Sequence, residues 1–292
     1  MIQTFHRMWR TQGPRGILHA AARRVMRTPV SAFDAAEALV CGKTGLEIGG
    51  SSALFGRGRL LPVYPLASHI DNCNFSRRTV WEGDITEGDT FQFDSRKKPG
   101  SQYLAEAADL SLFRDAAYDF ILSSHTLEHV ANPLRALAEW KRVLKGEGAL
   151  LLVLPHRDGT FDHRRPVTTL AHLIDDFERS TGEDDLSHLA EILSYHDLAR
   201  DPDAGNFEAF KARSENNLAY RCMHHHVFDT PLALAMLDHA GFDILAAEAV
   251  RPFHVVAVAR KLSAGRVPDN RALLSTDAAY RRRSPFPSDH PN

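Results

Sequence analysis

Tyr118-Asp119-Phe120-Ile121-Leu122-Ser123-Ser124, then Asn132-Pro133, then Ala149-Leu150-Leu151-Leu152-Val153-Leu154 are the residues on which the fold class turns. The first group reads as a strand. Asn132 suits a helix N-cap, and Pro133 suits the first helical position, where a missing N–H costs nothing. Leu134, Leu137, Trp140 and Leu144 recur at helical spacing, and Gly146 can close that helix. The run 149–154 is continuously apolar, the pattern of a strand buried on both faces of a parallel sheet.

Working outward, Thr44 to Ile48 reads as a strand ending in Gly49-Gly50, and Ala67 to Ile70 as one ending at Asp71. Tyr103 to Ala105 is a weaker third. Pro231 to His239 reads as a helix. Ile244 to Val250 and His254 to Arg260 are separated only by Arg251-Pro252-Phe253, too short for a crossover, so they form an antiparallel pair. The pattern predicts an α/β domain over 41–262, a doubly wound, mostly parallel sheet closed by an antiparallel hairpin.

Residues 156–228 exceed what this alternation needs and are expected to form a helical cap over the sheet's carboxyl edge. Ser180-Thr181-Gly182-Glu183 has the spacing of a capping box. Asp184 and Asp185 would then lie in the first turn, with Leu186, Leu189, Ile192 and Leu193 as the apolar face. Residues 1–40 read as a basic N-terminal helical segment: the first 33 hold six arginines and no acid. A helix over Ile17–Met26 would present a solvated basic face or make a peripheral contact with anionic lipid or another acidic partner. Residues 263–292 show little apolar periodicity and are expected to be a disordered tail.

Composition narrows the function. With 43% hydrophobic and 25% charged residues, the 292-residue chain is neither mainly disordered nor membrane-embedded. Its longest apolar run, Ala149 to Pro155, is far short of the ~20 residues a transmembrane helix needs. A net charge of −2 argues against nucleic acid as a partner. Three widely spaced cysteines point to a reducing, cytoplasmic setting. Ten of the 16 histidines fall between His125 and His226.

Glu47 ends the first strand beside small residues that let a ligand approach the backbone. Asp71 lies 24 residues further on (71 − 47), near the spacing at which an acid meets a ribose. Leu46 to Ser52, Glu106-Ala107-Ala108-Asp109-Leu110, the stretch Ser123-Ser124-His125-Thr126-Leu127-Glu128-His129-Val130, the helix over 132–148 and the strand 151–155 together resemble class I S-adenosylmethionine-dependent methyltransferases. The resemblance covers about residues 42–156 and 230–261. It implies a Rossmann-like methyltransferase fold with S-adenosylmethionine as cofactor. Glu47, Gly49 and Gly50 would then meet the methionyl end and Asp71 the ribose. Glu106 and its neighbour Ala107 would meet the adenine, with Asp109 as the competing alignment. Ser123, Ser124 and His125 would line the methyl-transfer face. The family's further glycines are replaced by Ser51 and Ala53.

The acceptor is expected to be a small molecule or a glycan-type hydroxyl, with His125 or His156 as general base. His129 reads as a packing or capping residue. A divalent metal held by Asp158, Asp162 or His224 is possible but not favoured. Three adjacent histidines cannot easily share one ion, and on a strand only His224 and His226 would converge. Two other classes stay open: a non-catalytic binding protein on the same fold, and a metal-dependent hydrolase using the His/Asp-rich insertion.

Overall fold

A computed structural model describes residues 30–290. The expected helix Ile17–Met26 and its lipid contact lie outside the described residues. Helix α1 (Phe33–Val40) precedes strands β1 (Thr44–Ile48), β2 (His69–Asn74), β3 (Arg78–Thr79), β4 (Gly83–Asp84), β5 (Gly88–Phe91), β6 (Gly100–Leu104) and β7 (Tyr118–Ser124). Helix α2 (Pro133–Val143) leads into β8 (Leu144–Pro155). The next segment holds α3 (Leu170–Arg179), α4 (Leu189–Tyr195), α5 (Phe207–Glu215) and α6 (Asn217–Tyr220). Helix α7 (Thr230–His239), strands β9 (Asp243–Val250) and β10 (His254–Arg260), and two short helices, α8 (Arg271–Leu274) and α9 (Ala279–Arg283), follow.

Eight strands form one sheet in the order β5-β6-β2-β1-β7-β8-β10-β9. The five from β6 to β8 are parallel; β10 runs antiparallel to both β8 and β9, as its three-residue link to β9 requires. Strand alternation sorts the core. Leu150, Leu152 and Leu154 join Leu46, Ile48 and Ile121 under α2 and α7. Leu151 and Val153 join Phe120, Leu122 and Val256 on the opposite face, which α1 covers through Ala36 and Val40. Burial on both faces is what the continuous apolar run encodes.

Helix α2 starts as expected, with Asn132 Oδ1 accepting from the Arg135 N–H at 3.0 Å. It stops at Val143, not at Gly146, because the chain pairs Leu144 with Tyr118 and turns extended at once.

The insertion departs further. Ser180 does not start a helix; it ends α3 in the left-handed conformation (φ 55°). Glu183 therefore does not close a capping box. It accepts from the Ala131 N–H at 3.3 Å and pairs with Arg221 at 2.9 Å. Asp184 and Asp185 precede α4 instead of opening it, and Leu186 is exposed. The insertion's own apolar core is small: Ile192, Ala204, Phe210 and Met223.

The expected tail disorder is also overturned over the described residues 263–290. Tyr280 and Phe286 are buried. Asp289 is fully buried and accepts from the Thr230 N–H (3.0 Å), Thr230 Oγ1 (2.7 Å) and Ser284 Oγ (2.6 Å). Asn270 bridges the Phe242 carbonyl and the Ile244 N–H, both at 2.8 Å. Polar anchors and isolated aromatics carry no periodicity, so composition alone misread them.

Candidate active site

Strand order reverses between β1 and β7, and ligands of such sheets bind in the crevice outside the carboxyl ends at that point. Glu47 stands there, fully buried, one residue before β1 ends. Its carboxylate accepts from Tyr64 Oη at 2.6 Å and from the Ser52 N–H at 2.9 Å. Burial pushes the Glu47 carboxyl up to about 8, against the pull of those two hydrogen bonds. Gly49 is left-handed (φ 83°), and a Cβ there would lie 2.4 Å from Thr126 Oγ1. A Cβ on Gly50 would lie 2.0 Å from Glu47 Oε1. Both positions thus need glycine, because Thr126 and the Glu47 carboxyl pack directly against the turn. Asn72 and Asn74 brace it from β2, donating to the Glu47 and Gly50 carbonyls at 3.2 and 3.1 Å.

Asp71 is not at this edge. Strand β2 continues to Asn74, and Asp71 pairs in register with Leu46, well before the strand's end. Its carboxylate accepts from Tyr118 Oη (2.9 Å) and the Ser101 N–H (2.8 Å) and meets His69 Nε2 (2.8 Å). It ties β2 to β6 and β7. The edge position belongs to Asn74, missed because Asn72-Cys73-Asn74 does not look like strand.

Glu106 follows β6 and is gripped by Arg221 of the insertion at 2.8 and 3.2 Å. Arg221 also pairs with Glu183 and lies 5.0 Å from the centre of the Phe75 ring. Asp109 is exposed and occupied by the Ser111 N–H at 3.0 Å. The Ala107 carbonyl accepts from Trp140 Nε1 at 2.9 Å. Ser123 and Ser124 close β7, and both hydroxyls are buried with no partner. Buried hydroxyls without a partner, on the strand next to the Gly49-Gly50 turn, fit a polar ligand such as S-adenosylmethionine.

The two candidate bases separate. His156 is fully buried and stacked on Phe286 at 4.0 Å. Its Nε2 meets Asp289 at 3.1 Å, and its Nδ1 accepts from the Asp158 N–H at 3.2 Å. Nε2 ties down the C-terminal segment and Nδ1 caps the turn that follows, so neither nitrogen of His156 is left to serve as a general base.

His125 does sit at the edge, left-handed (φ 52°), with 26% of its side chain exposed. Its Nε2 meets His254 Nδ1 at 3.0 Å. Burial, with His254 and His224 nearby, pushes its pKa down to about 3, so it is neutral and a weak base at pH 7.

Glu128, which the sequence reading did not single out, lies 3.7 Å from His125 Nδ1 and 3.8 Å from His129 Nε2. It is fully buried, its Oε2 has no partner, and burial pushes its carboxyl up to about 7 against the pull of His224. The signal for it was its place inside the stretch 123–130. Around it, His129 Nδ1 meets the Met223 carbonyl at 3.0 Å. Burial opposes charge on His224, but the Asp162 carboxylate against its Nδ1 outweighs this and raises its pKa. Arg165 fixes Asp162 at 2.9 Å. His224 and His226 do not converge: His224 faces Glu128 and His129, while His226 faces His172 and His188. Asp158 accepts from the Ser288 N–H at 2.9 Å and belongs to neither group.

Residues 68–152 match a family model described as a methyltransferase domain. Among curated proteins none matches. The chain is similar to the solved S-adenosylmethionine-dependent methyltransferase of Mesorhizobium loti (14% identity, 79% of this chain, 96% of that one, TM-score 0.46). It is also similar to a methyltransferase of Methanosarcina mazei (18%, 80%, 99%, TM-score 0.43). A third likeness is to the 1,6-didemethyltoxoflavin-N1-methyltransferase of Burkholderia thailandensis, solved with S-adenosylhomocysteine (13%, 80%, 79%, TM-score 0.43). The methyltransferase-domain match runs from β2 into β8, and the Glu47–Gly50 turn stands at the switch point of the same sheet, so the chain carries a methyltransferase-type domain.

Proposed function

We propose that this enzyme methylates a hydroxyl of a small-molecule or glycan-type acceptor, with Glu128 taking the proton. The observation that carries the reading is Glu128 itself: a buried carboxylate beside His125, titrating near neutrality, four residues past the end of β7. When bound, S-adenosylmethionine supplies a methyl group already made electrophilic by its sulfonium. The protein must hold the acceptor in line and remove its proton. A hydroxyl keeps its proton at pH 7, so it needs a base in contact, and such a base supplies about 10²–10⁴-fold. Glu47 and the Gly49-Gly50 turn would hold the methionyl end, Glu106 would read the adenine, and neutral His125 would orient the acceptor. The polar lining contributed by the insertion suits an acceptor rich in hydroxyls.

The near-neutral net charge argues against a nucleic-acid acceptor. No described helix is long and apolar enough to cross a membrane. The three free cysteines suit work in a reducing, cytoplasmic setting. The test is methyl transfer from labelled S-adenosylmethionine to panels of sugars, nucleotide sugars, phenols and amines, with wild type and Glu128→Gln. Transfer to hydroxyl acceptors, lost in the variant while cofactor binding persists, is expected. Transfer confined to amines, or unchanged in the variant, overturns the reading.

A further inference from the structure

The insertion holds a second cluster, outside the methyl-transfer edge. His172 and Asp176 lie one turn apart on α3, His188 immediately precedes α4, and His226 lies in the segment returning to the sheet. His172 Nε2 is 3.1 Å from His188 Nε2 and 3.3 Å from Asp176 Oδ2, and His226 Nε2 is 3.7 Å from that same oxygen. One nitrogen of each of the three rings lies within 4.8 Å of the others. Four donors around a tetrahedral zinc at its usual bond lengths stand about 3.3 Å apart.

A hydrogen bond between His172 and His188 accounts for one of these contacts and leaves the rest unexplained. His226 is 1% exposed, and its Nδ1 has no partner. Its Nε2, the nitrogen nearest Asp176, also lies 3.2 Å from the Ala131 carbonyl, which fixes the plane of the ring. Asp176 is 9% exposed, and its Oδ2 has no hydrogen-bond donor, while Oδ1 is taken by Thr181 Oγ1 at 3.0 Å. Backbone carbonyls and hydroxyls that orient a histidine or a carboxylate are the usual support of a metal ligand. A ring left partly exposed, His172, gives an ion a way in.

We propose that His172, His188 and His226, with Asp176 beside His172 and His226, bind one zinc ion, which fastens α3 and the start of α4 to the segment that returns to the sheet. Three imidazoles and one carboxylate are a zinc-type donor set; calcium and magnesium prefer oxygen throughout. The ion would join α3, the start of α4 and the 224–228 segment, where the insertion has few apolar contacts of its own. No electron transfer or group transfer is involved. Histidine protons leave to solvent as the nitrogens take the metal.

The test uses the full chain, stripped with a chelator and titrated with zinc chloride, then separately with cobalt(II). About one zinc per chain is expected, together with the intense visible bands of tetrahedral cobalt. Stripping should lower the melting temperature by at least about 5 °C, restored by zinc. His188→Ala and the milder His188→Asn should lose the ion and the zinc-dependent rise. His129→Ala, in the Glu128–His129–His224 group, should keep both. Zinc held equally by wild type and both His188 variants, zinc lost in His129→Ala but not in His188→Asn, or wild-type affinity weaker than about 10 μM would overturn the proposal. None of these readouts depends on methyl transfer.

Discussion

The sheet and the insertion are held together by different physics. In the sheet, β7 and β8 bury Phe120, Ile121, Leu122 and the run 149–154 completely, so apolar alternation sets register and face. In the insertion, Leu173 and Phe228 reach the main core, and the remaining ties to the domain are polar: Arg221 to Glu106, Glu183 to the Ala131 N–H, Asn132 to the Asp176 carbonyl, His129 to the Met223 carbonyl. Local pattern therefore describes the first region, while long-range pairing of charged and ring side chains builds the second. The candidate site lies where they meet.

The comparison breaks most visibly in the C-terminal segment, which is docked like the insertion, by polar anchors. Asp289→Ala should destabilise the protein by about 3–5 kcal/mol, because it strips a buried carboxylate from His156, Thr230 and Ser284 at once. Denaturant melts that coincide with wild type would show the segment to be dispensable.

The next effect is catalytic. Glu128→Gln should lower turnover by about 10²–10⁴-fold with stability and cofactor affinity near wild type. A parallel loss of cofactor affinity would move Glu128 from acceptor to cofactor.

Asp71→Asn tests the sheet side. It weakens the ties to Tyr118, Ser101 and His69, so stability should fall by about 1–3 kcal/mol while affinity for S-adenosylhomocysteine stays the same. Lost affinity at unchanged stability would return Asp71 to the ligand edge.

How much was legible follows the same division. The bounds of β1, β7 and β10 and the cap of α2 could be read because each rests on neighbours within a few residues. The positions of Glu47, Gly49 and Gly50 at the sheet edge could be placed for the same reason: strand end, carboxylate and turn are contiguous. Asp71 could not, since Asn72 and Asn74 have no strand-like pattern, yet they continue β2 and donate to the Glu47 and Gly50 carbonyls. His156 looked like a base because its partner, Asp289, lies 133 residues away in a segment without apolar pattern. Ser180 looked like an N-cap because S-x-x-E spacing does not reveal which helix the serine belongs to, and here it ends α3. The acceptor-side groups around Glu128 assemble only when residues 162 and 224 fold back on residue 128.

The central claim is that Glu47 and its glycine turn hold the charged methionyl end of the cofactor. Glu47's carboxyl, raised to about 8 in the folded free protein from about 4.5 when exposed, holds a proton that the unfolded chain releases. Its contribution to stability is therefore complete below about pH 4.5 and is lost as pH rises towards about 8; Glu47→Gln should flatten that slope. A ligand ammonium favours the ionised form, so binding should expel the proton and affinity should climb over the same range. The most direct test is calorimetric titration with S-adenosylhomocysteine between about pH 6 and about pH 8. The account predicts wild-type affinity rising with pH, accompanied by proton release. It also predicts a Glu47→Gln variant roughly 10–100-fold weaker at the upper end and nearly flat across the range. Equal affinities for the two proteins, without proton release in either, would contradict it.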